Sequence, residues 1–533
     1  MKTCSFHFSD VLRTMLPAAF SLLAYTVPAN AKDLYVSATG LYDGKEAYTD
    51  LQTAIDKAEK GDTVWVENGF VCDQGTMPWG GLPQRIVINK AITVRSRSGD
   101  LMNQPIIRGA IDKNEKDEVF GPNSIRCVVL EHSDSALIGF RLEGGAAIED
   151  SDGTPANGGG IIAKGHVKFC TIIGNYGVQG GGIAQHGTPP LVENCVIKNN
   201  YSRGEGGGVY IATIKDSRII GNHSQKTGGG FYNCSLTNCV VDKNIAATGG
   251  GGGVGFPDKP IIDCTISGNI ATSGNGGGVS YDPRLIDCLV IDNVATNGNG
   301  GGVQGVGRAL RTTFRGNGAF RTAPNDGAKG IGGGAHGIEL VDCQLSGNIA
   351  DYRGGGIFGG KSYNCILSGN TCHTEGGGVF GGNHYNDIII GNTSTGRGAG
   401  AGWKTSLINC TVIGNKGEND LNVVNLVNTV AYGDGKPAEG TAETATHSCA
   451  AFLTATTENG NKTEDPKLGV EGEKRFLPLP GSPCLNAGVV QPWMNDPACP
   501  GFHDRNGRRR VIGPSVDIGA LEAPYWGTTI HVR

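Results

Sequence analysis

The chain has 533 residues, a formal net charge of −5 and 89 glycines. An acidic balance without a basic run excludes a nucleic-acid binder, and the trio Arg508, Arg509 and Arg510 is too short to change that. Beyond the N-terminal region no stretch holds the ~20 apolar residues of a spanning helix. Glycine at more than twice its usual ~7% share demands a repeated structural cause.

Residues 1–31 read as a secretory signal. Lys2 and Arg13 supply the positive start, Met15 to Val27 the apolar run, and Ala29, Asn30 and Ala31 the cleavage site. The expectation is a secreted or cell-surface protein whose mature chain begins near Lys32.

Residues 32–125 open with Leu34, Tyr35 and Val36. An amphipathic segment from Leu51 to Ala58 follows, then Asp62 to Val66. Such a helix is the expected N-terminal cap over the open end of a solenoid, with the first coils beside it.

Residues 126–430 repeat a pattern roughly every two dozen positions, the signature of a stacked array. It reads Cys170, x, aliphatic, x, x, Asn175, and a glycine triplet follows a few residues later. Further copies run Cys195 to Asn200, Cys239 to Asn244, Cys264 to Asn269, Cys288 to Asn293, Cys343 to Asn348, Cys365 to Asn370 and Cys410 to Asn415. Ser217, Thr312 and Asp387 stand in place of the cysteine in three more. Cys264 and Ile266 share one face and Thr265 and Ser267 the other, which is a strand with one buried side. Short strands, no helical stripe and this period predict an all-β parallel β-helix. No single coil buries its own face, so stability comes from stacking.

In such a stack the asparagines lie above one another, amide on amide, and asparagine tolerates a left-handed turn. The triplets at 158–160, 206–208, 228–230, 276–278, 300–302, 354–356 and 376–378 form a second column of tight corners. The cysteines form a third. Parallel Cβ vectors oppose bridging between rungs, so a reduced, buried ladder is expected. Cys484 and Cys499 lie off the ladder and are the expected disulfide. The run Gly355 to Ser362 matches a phosphate-loop expression, but it leads into a strand rather than a helix.

Residues 431–533 are loop-rich: first a Gly/Thr/Glu-rich stretch to 475, then a segment holding Gly481, Ser482, Pro483, Cys484 and Val516 to Glu522.

The opening Leu34-Tyr35-Val36, Leu51 to Ala58 and Asp62 to Val66 resembles the start of pectate-lyase-like, right-handed parallel β-helix proteins. The aliphatic-x-x-Asn and Gly-Gly-Gly-[Val/Ile] units resemble polymorphic outer membrane protein repeats. The Phe-x-x-Asn form of that family is kept only at Phe314 to Asn317. The ending, Gly481 to Cys484, Asp504 to Gly507 and Asp517 to Glu522, resembles the choice-of-anchor Q module of bacterial surface β-helix proteins. The resemblance implies a right-handed coil and export, and it covers nearly the whole mature chain.

Two surface columns carry the candidate chemistry. Arg353, Glu375 and Arg397 precede successive triplets, so their charged ends could form a plus-minus-plus ladder. That is either a solvated ion-pair stack or a site for acidic sugars, since guanidinium pairs bidentately with carboxylate. Two positions past the triplets lies a second column: Tyr210, Tyr232, Gly255, Ser280, Gln304, His336, Phe358 and Phe380. Alternation points it outward as a sugar-stacking or protein-docking face; the alternative is a core column, or one covered by the insertion at 318–331. His336 sits beside that insertion.

No Asp-rich segment suggests calcium, no C-x-x-C pair suggests zinc, and no Asp-Asp pair supports a pectinolytic hydrolase. The expectation is a non-catalytic β-helix that binds a polysaccharide or a cell-surface partner along one face, with no metal and no cofactor. The alternative is a lyase of uronate polymers using Arg353, Glu375, Arg397 and His336, with calcium as its cofactor.

Overall fold

The computed structural model describes residues 31–97, 103–112, 121, 123–147, 157–257, 259–323, 329–433 and 439–524. The expected signal segment lies outside them, apart from its last residue. The chain is a parallel β-helix. Each regular coil contributes one short strand to each of four long sheets, named I to IV in their order around the coil. Sheet I has 17 strands, sheet II 15, sheet III 10 and sheet IV 13.

One coil shows why the sequence folds this way. Val279–Tyr281 lies in sheet IV, Arg284–Ile286 in sheet I, Leu289–Ile291 in sheet II and Val294–Ala295 in sheet III. Val279, Leu285, Val290 and Ala295 point inward and are buried. The next coil repeats the register, with Leu285 beside Ala309, Val290 beside Phe314 and Val279 beside Val303. Corners form where Asp287 and Asp292 take positive φ (54° each) and where Gly276 opens the triplet at φ 70°. The third triplet residue has another reason to be glycine: a Cβ on Gly278 would lie 2.6 Å from the Gly302 carbonyl oxygen.

The asparagines form a continuous ladder from Asn175 to Asn415. Asn269 illustrates its bonding. Its Oδ1 accepts from the backbone N–H and Nδ2 of Asn244, both at 2.9 Å. Its Nδ2 donates to the Val241 carbonyl and to Asn293 Oδ1, also at 2.9 Å. The expected left-handed conformation belongs instead to the residue just before, such as Gly268 or Asp292. Only a side chain aimed inward from ordinary backbone can serve both neighbouring coils.

The cysteine column is also a hydrogen-bond ladder. Cys239 N–H donates to Cys264 Sγ at 3.3 Å, and Cys264 Sγ donates to the Ile262 carbonyl at 3.1 Å. Ser217 and Thr312 accept the same N–H from Cys195 and Cys288. Position by position, the requirement is one side-chain atom that accepts. The cysteines at 72–499 are free thiols. Burial pushes Cys127 up to about 12 and Cys288 up to about 11, which keeps the reactive thiolate scarce.

The helix Leu51–Lys57 is N-capped by Asp50, whose Oδ1 accepts the Thr53 N–H at 2.7 Å. Leu51, Ala54 and Ile55 join the main core. The stretch from 431 is not all loop: Gly440–Thr446 is the last strand of sheet I.

The chain then folds back along the corner between sheets I and II. Asn428 exchanges hydrogen bonds with Val489 at 2.8 and 2.7 Å. Asn386 Nδ2 donates to Gly501 at 3.0 Å, and Arg505 donates to the Asn364 carbonyl at 2.6 Å. The motif residues of this module are its internal pins. Asp517 accepts from Asn486 and Ala523, Asp504 accepts from Glu522, and buried Arg510 donates to Gly519. The expected Cys484–Cys499 disulfide is absent. Cys484 instead packs with Cys449, Val430 and Ile518 in a buried cluster, while Cys499 lies elsewhere, half-buried, near Tyr363 and Tyr385.

Candidate functional site

The outward column on sheet IV is real, with a change of register in its middle. Tyr210 stacks on Tyr232 with centroids 5.5 Å apart and planes 7° apart. At the next two coils the column position holds Gly255 and Ser280, both buried and ringless. Phe256 and Tyr281, one residue further on, supply the rings by adopting positive φ of 46° and 77°. Tyr232 and Phe256 lie 5.5 Å apart, and Phe256 stacks on Tyr281 at 17°. The last two are each 40% exposed, and neighbouring Val306 is 86% exposed. A bulky side chain at 255 could not fit, since a Cβ there would lie 2.5 Å from Thr227. The only sequence hint of Phe256 and Tyr281 was their place directly after the column. Glu205 lies beside Tyr210 and accepts from Gln179 at 3.1 Å.

Gln304 and His336 continue the column in register. His336 meets Phe358 at 5.3 Å, and Phe358 stacks on Phe380 at 5.2 Å and 11°. The column does not point inward: Tyr210, Tyr232, Gln304, His336 and Phe358 are half-buried, and Phe380 is covered. Burial lowers the His336 pKa, and its Nδ1 is buried without a partner. Residues 324–328 of the expected covering insertion lie outside the described residues.

The charged ladder is corrected. Arg353, Glu375 and Arg397 are bridged in register by their backbones, but their side chains part. Glu375 Oε1 accepts from the Trp403 N–H at 2.8 Å and from Asn422 Nδ2 at 2.7 Å. Arg397 is exposed and pairs with Glu418 at 3.4 Å. The Arg353 guanidinium lies over Tyr352 and Phe380 at 4.5 and 4.6 Å. These atoms do not converge with His336 on one reacting point. Gly402, with no side chain of its own, lets Glu375 lie close enough to reach the Trp403 amide.

A third cluster went unread in the sequence. Ser362, His384 and Asp387 are fully buried. His384 Nε2 meets the Gly381 carbonyl at 3.0 Å, so Nε2 carries the hydrogen. Its Nδ1 lies 2.6 Å from Ser362 Oγ, which also bonds Asp387. Asp387 Oδ1 accepts from Cys365 N–H at 2.7 Å. One serine hydrogen cannot serve two acceptors, so a further proton resides in the trio. Consistently, burial pushes Asp387 up to about 7 and His384 down to about 4. Their signal was three polar residues at adjacent positions of otherwise apolar or cysteine columns. Sealed in the core, they resemble a catalytic set only in composition.

Among the described residues, no group of three His, Cys, Asp or Glu is placed to hold a metal ion, and no helix is long and apolar enough to cross a membrane.

No protein-family model and no curated protein sequence matches the chain. Among solved structures, a pectate lyase is similar at 11% identity over 92% of this chain and 96% of its own, with a TM-score of 0.22. The A-module of an Azotobacter vinelandii mannuronan C-5 epimerase is similar at 12% identity over 67% and 90%, with a TM-score of 0.31. A tailspike protein of an E. coli bacteriophage is similar at 12% over 77% and 78%, with a TM-score of 0.30. Likenesses at this level decide nothing about chemistry. The parallel β-helix rests on the four sheets themselves.

Proposed function

We propose that this is an exported, non-catalytic β-helix that binds glycan chains along sheet IV. The observation that carries the reading is the stack of Tyr210, Tyr232, Phe256 and Tyr281, in which Phe256 and Tyr281 stand exposed. Exposed rings in a row present the apolar faces that sugar rings stack on. Because successive rungs fall ~5 Å apart, an extended glycan can lie along the helix axis and meet one ring per unit. The repeat and the C-terminal motif resemble bacterial surface β-helix modules, which supports a place at the cell surface, where a glycan or a protein bearing one is the partner. A uronate lyase is the weaker alternative, because Glu375 is already engaged by two N–H donors and stands apart from His336.

The test is affinity electrophoresis of purified protein through gels containing β-glucan, xylan, pectate, alginate or glycosaminoglycan. At least one glycan is expected to retard it, and Tyr232→Ala/Tyr281→Ser is expected to abolish that retardation. Unsaturated uronate absorbance should stay flat with and without calcium. Retardation by none of the polymers, or a rising absorbance, contradicts the proposal.

A further inference from the structure

The basic end of the same face differs from its neutral end. Arg321 lies over the Tyr352 ring at 4.8 Å, and Arg353 lies over it at 4.5 Å while also covering Phe380 at 4.6 Å. Two guanidiniums thus share one ring, on the turn that leads into the Phe358–Phe380 stack. Neither lies within ion-pair distance of a carboxylate among the described residues. Arg308, Arg311 and Arg397 by contrast pair with Glu339, Asp287 and Glu418. The nearest candidates are otherwise engaged: Asp351 accepts the Arg321 backbone N–H and meets His373 at 3.3 Å, and Glu375 turns to Trp403. The Arg353 Nε is buried with no hydrogen-bond partner.

We propose that Arg321 and Arg353, both seated over the Tyr352 ring, form a subsite for the carboxylate of an acidic sugar unit. The inference rests on sheet IV being the glycan face and adds a substrate class to it. A guanidinium already held against a ring loses little freedom on binding, and its planar fork of donors matches a carboxylate better than a point charge does. The Phe358 ring beside it gives the sugar its stacking surface. Nonspecific attraction does not explain binding of a polyanion here, because the chain is itself negative at −5.

The experiment compares retardation in gels of polygalacturonate, dextran sulfate and neutral glycan. It uses the wild type, Arg321→Ala/Arg353→Ala, Arg353→Lys and Arg397→Ala. Polygalacturonate is expected to bind the wild type about tenfold more tightly than the double variant, the loss typical of a charge-assisted hydrogen-bonded pair. Arg353→Lys, which keeps the charge and the fold, should still weaken it several-fold. Arg397→Ala should match the wild type, and neutral-glycan retardation should be the same in all four proteins. The assignment is overturned if the double variant holds polygalacturonate as tightly as the wild type. It is equally overturned if dextran sulfate binds as well as polygalacturonate, or if the double variant also loses the neutral glycan. Neutral retardation without any polygalacturonate retardation defeats this inference alone. Loss of both in the wild type defeats the glycan-face reading with it.

Discussion

The asparagine corner and the cysteine corner sit on the same coils, both buried and both stacked rung on rung, yet one is uniform and the other varied. From Asn175 to Asn415 no other residue enters the first. The second takes Ser217, Thr312, Asp387, Thr429 and Ser448. Hydrogen-bond valence explains the difference. The asparagine amide uses two acceptor and two donor bonds to both adjacent coils, and no other small side chain offers that set. The cysteine position must accept one N–H, and sulfur, hydroxyl or carboxylate each suffices. Tolerance in a repeat is therefore set by the number of bonds a position closes, not by how deeply it is buried.

The largest effect should follow Asn269→Ala. It leaves the Asn244 backbone N–H and one Asn244 Nδ2 hydrogen without their acceptor and takes the side-chain donor from the Val241 carbonyl. Asn293 Oδ1 keeps the residue-269 backbone N–H as its one remaining donor from that coil. In a dry corner the cost is on the order of 3–5 kcal/mol. Its urea midpoint should fall further than that of any cysteine-column variant. A shift no greater than that of Cys264→Ala would break the comparison.

Asp387→Ser should change pH dependence rather than abolish folding, because serine already serves at 217 and 448. In the folded state Asp387 keeps a proton that the unfolded chain releases above pH ~4, so its contribution falls as pH rises from about 4 to about 7. Folded His384 refuses a proton that the unfolded chain takes up below ~6.5, so its contribution falls as pH drops from there to about 4. In the wild type the two oppose each other. Besides His384, the charged or titratable neighbours of Asp387 are Arg505 and the thiols of Cys365 and Cys410. Removing Asp387 leaves the histidine alone. The variant should lose about 3 kcal/mol relative to the wild type between pH 6.5 and 4. Parallel stability profiles of the two proteins would rule out the shared proton.

Cys264→Ala removes the acceptor for Cys239 N–H and part of the packing, and should cost about 1–3 kcal/mol. Cys264→Ser keeps the acceptor and should cost less than about 1 kcal/mol. Thermal midpoints of the two variants decide whether sulfur matters as an acceptor or only as an apolar filler. If it is only filler, serine should be the worse replacement.

The repeat made the fold legible, because period, strand alternation and glycine corners each require the same stack. It also placed the outward column at Tyr210, Tyr232, Gln304, His336, Phe358 and Phe380. What the period could not show is where a side chain goes once it leaves the backbone. Arg353 and Glu375 share a register yet turn to an aromatic ring and to backbone amides. Phe256 and Tyr281 enter the column through positive φ, which the pattern does not encode. Long-range folding back was equally hidden. Asn364, Asn386, Asn409 and Asn428 look like the exposed corner residues Asn194, Asn238 and Asp263, and only the returning C-terminal segment buries them.

Sheet IV's outer column closes none of these ladders, so its rings can change without unfolding the stack. The most direct measurement is therefore a paired one on Tyr232→Ala/Tyr281→Ser: thermal midpoint and glycan retardation on the same sample. A midpoint close to that of the wild type together with lost retardation is the predicted result. Unchanged retardation, by every glycan that retards the wild type, would contradict the assignment of this face to glycan binding.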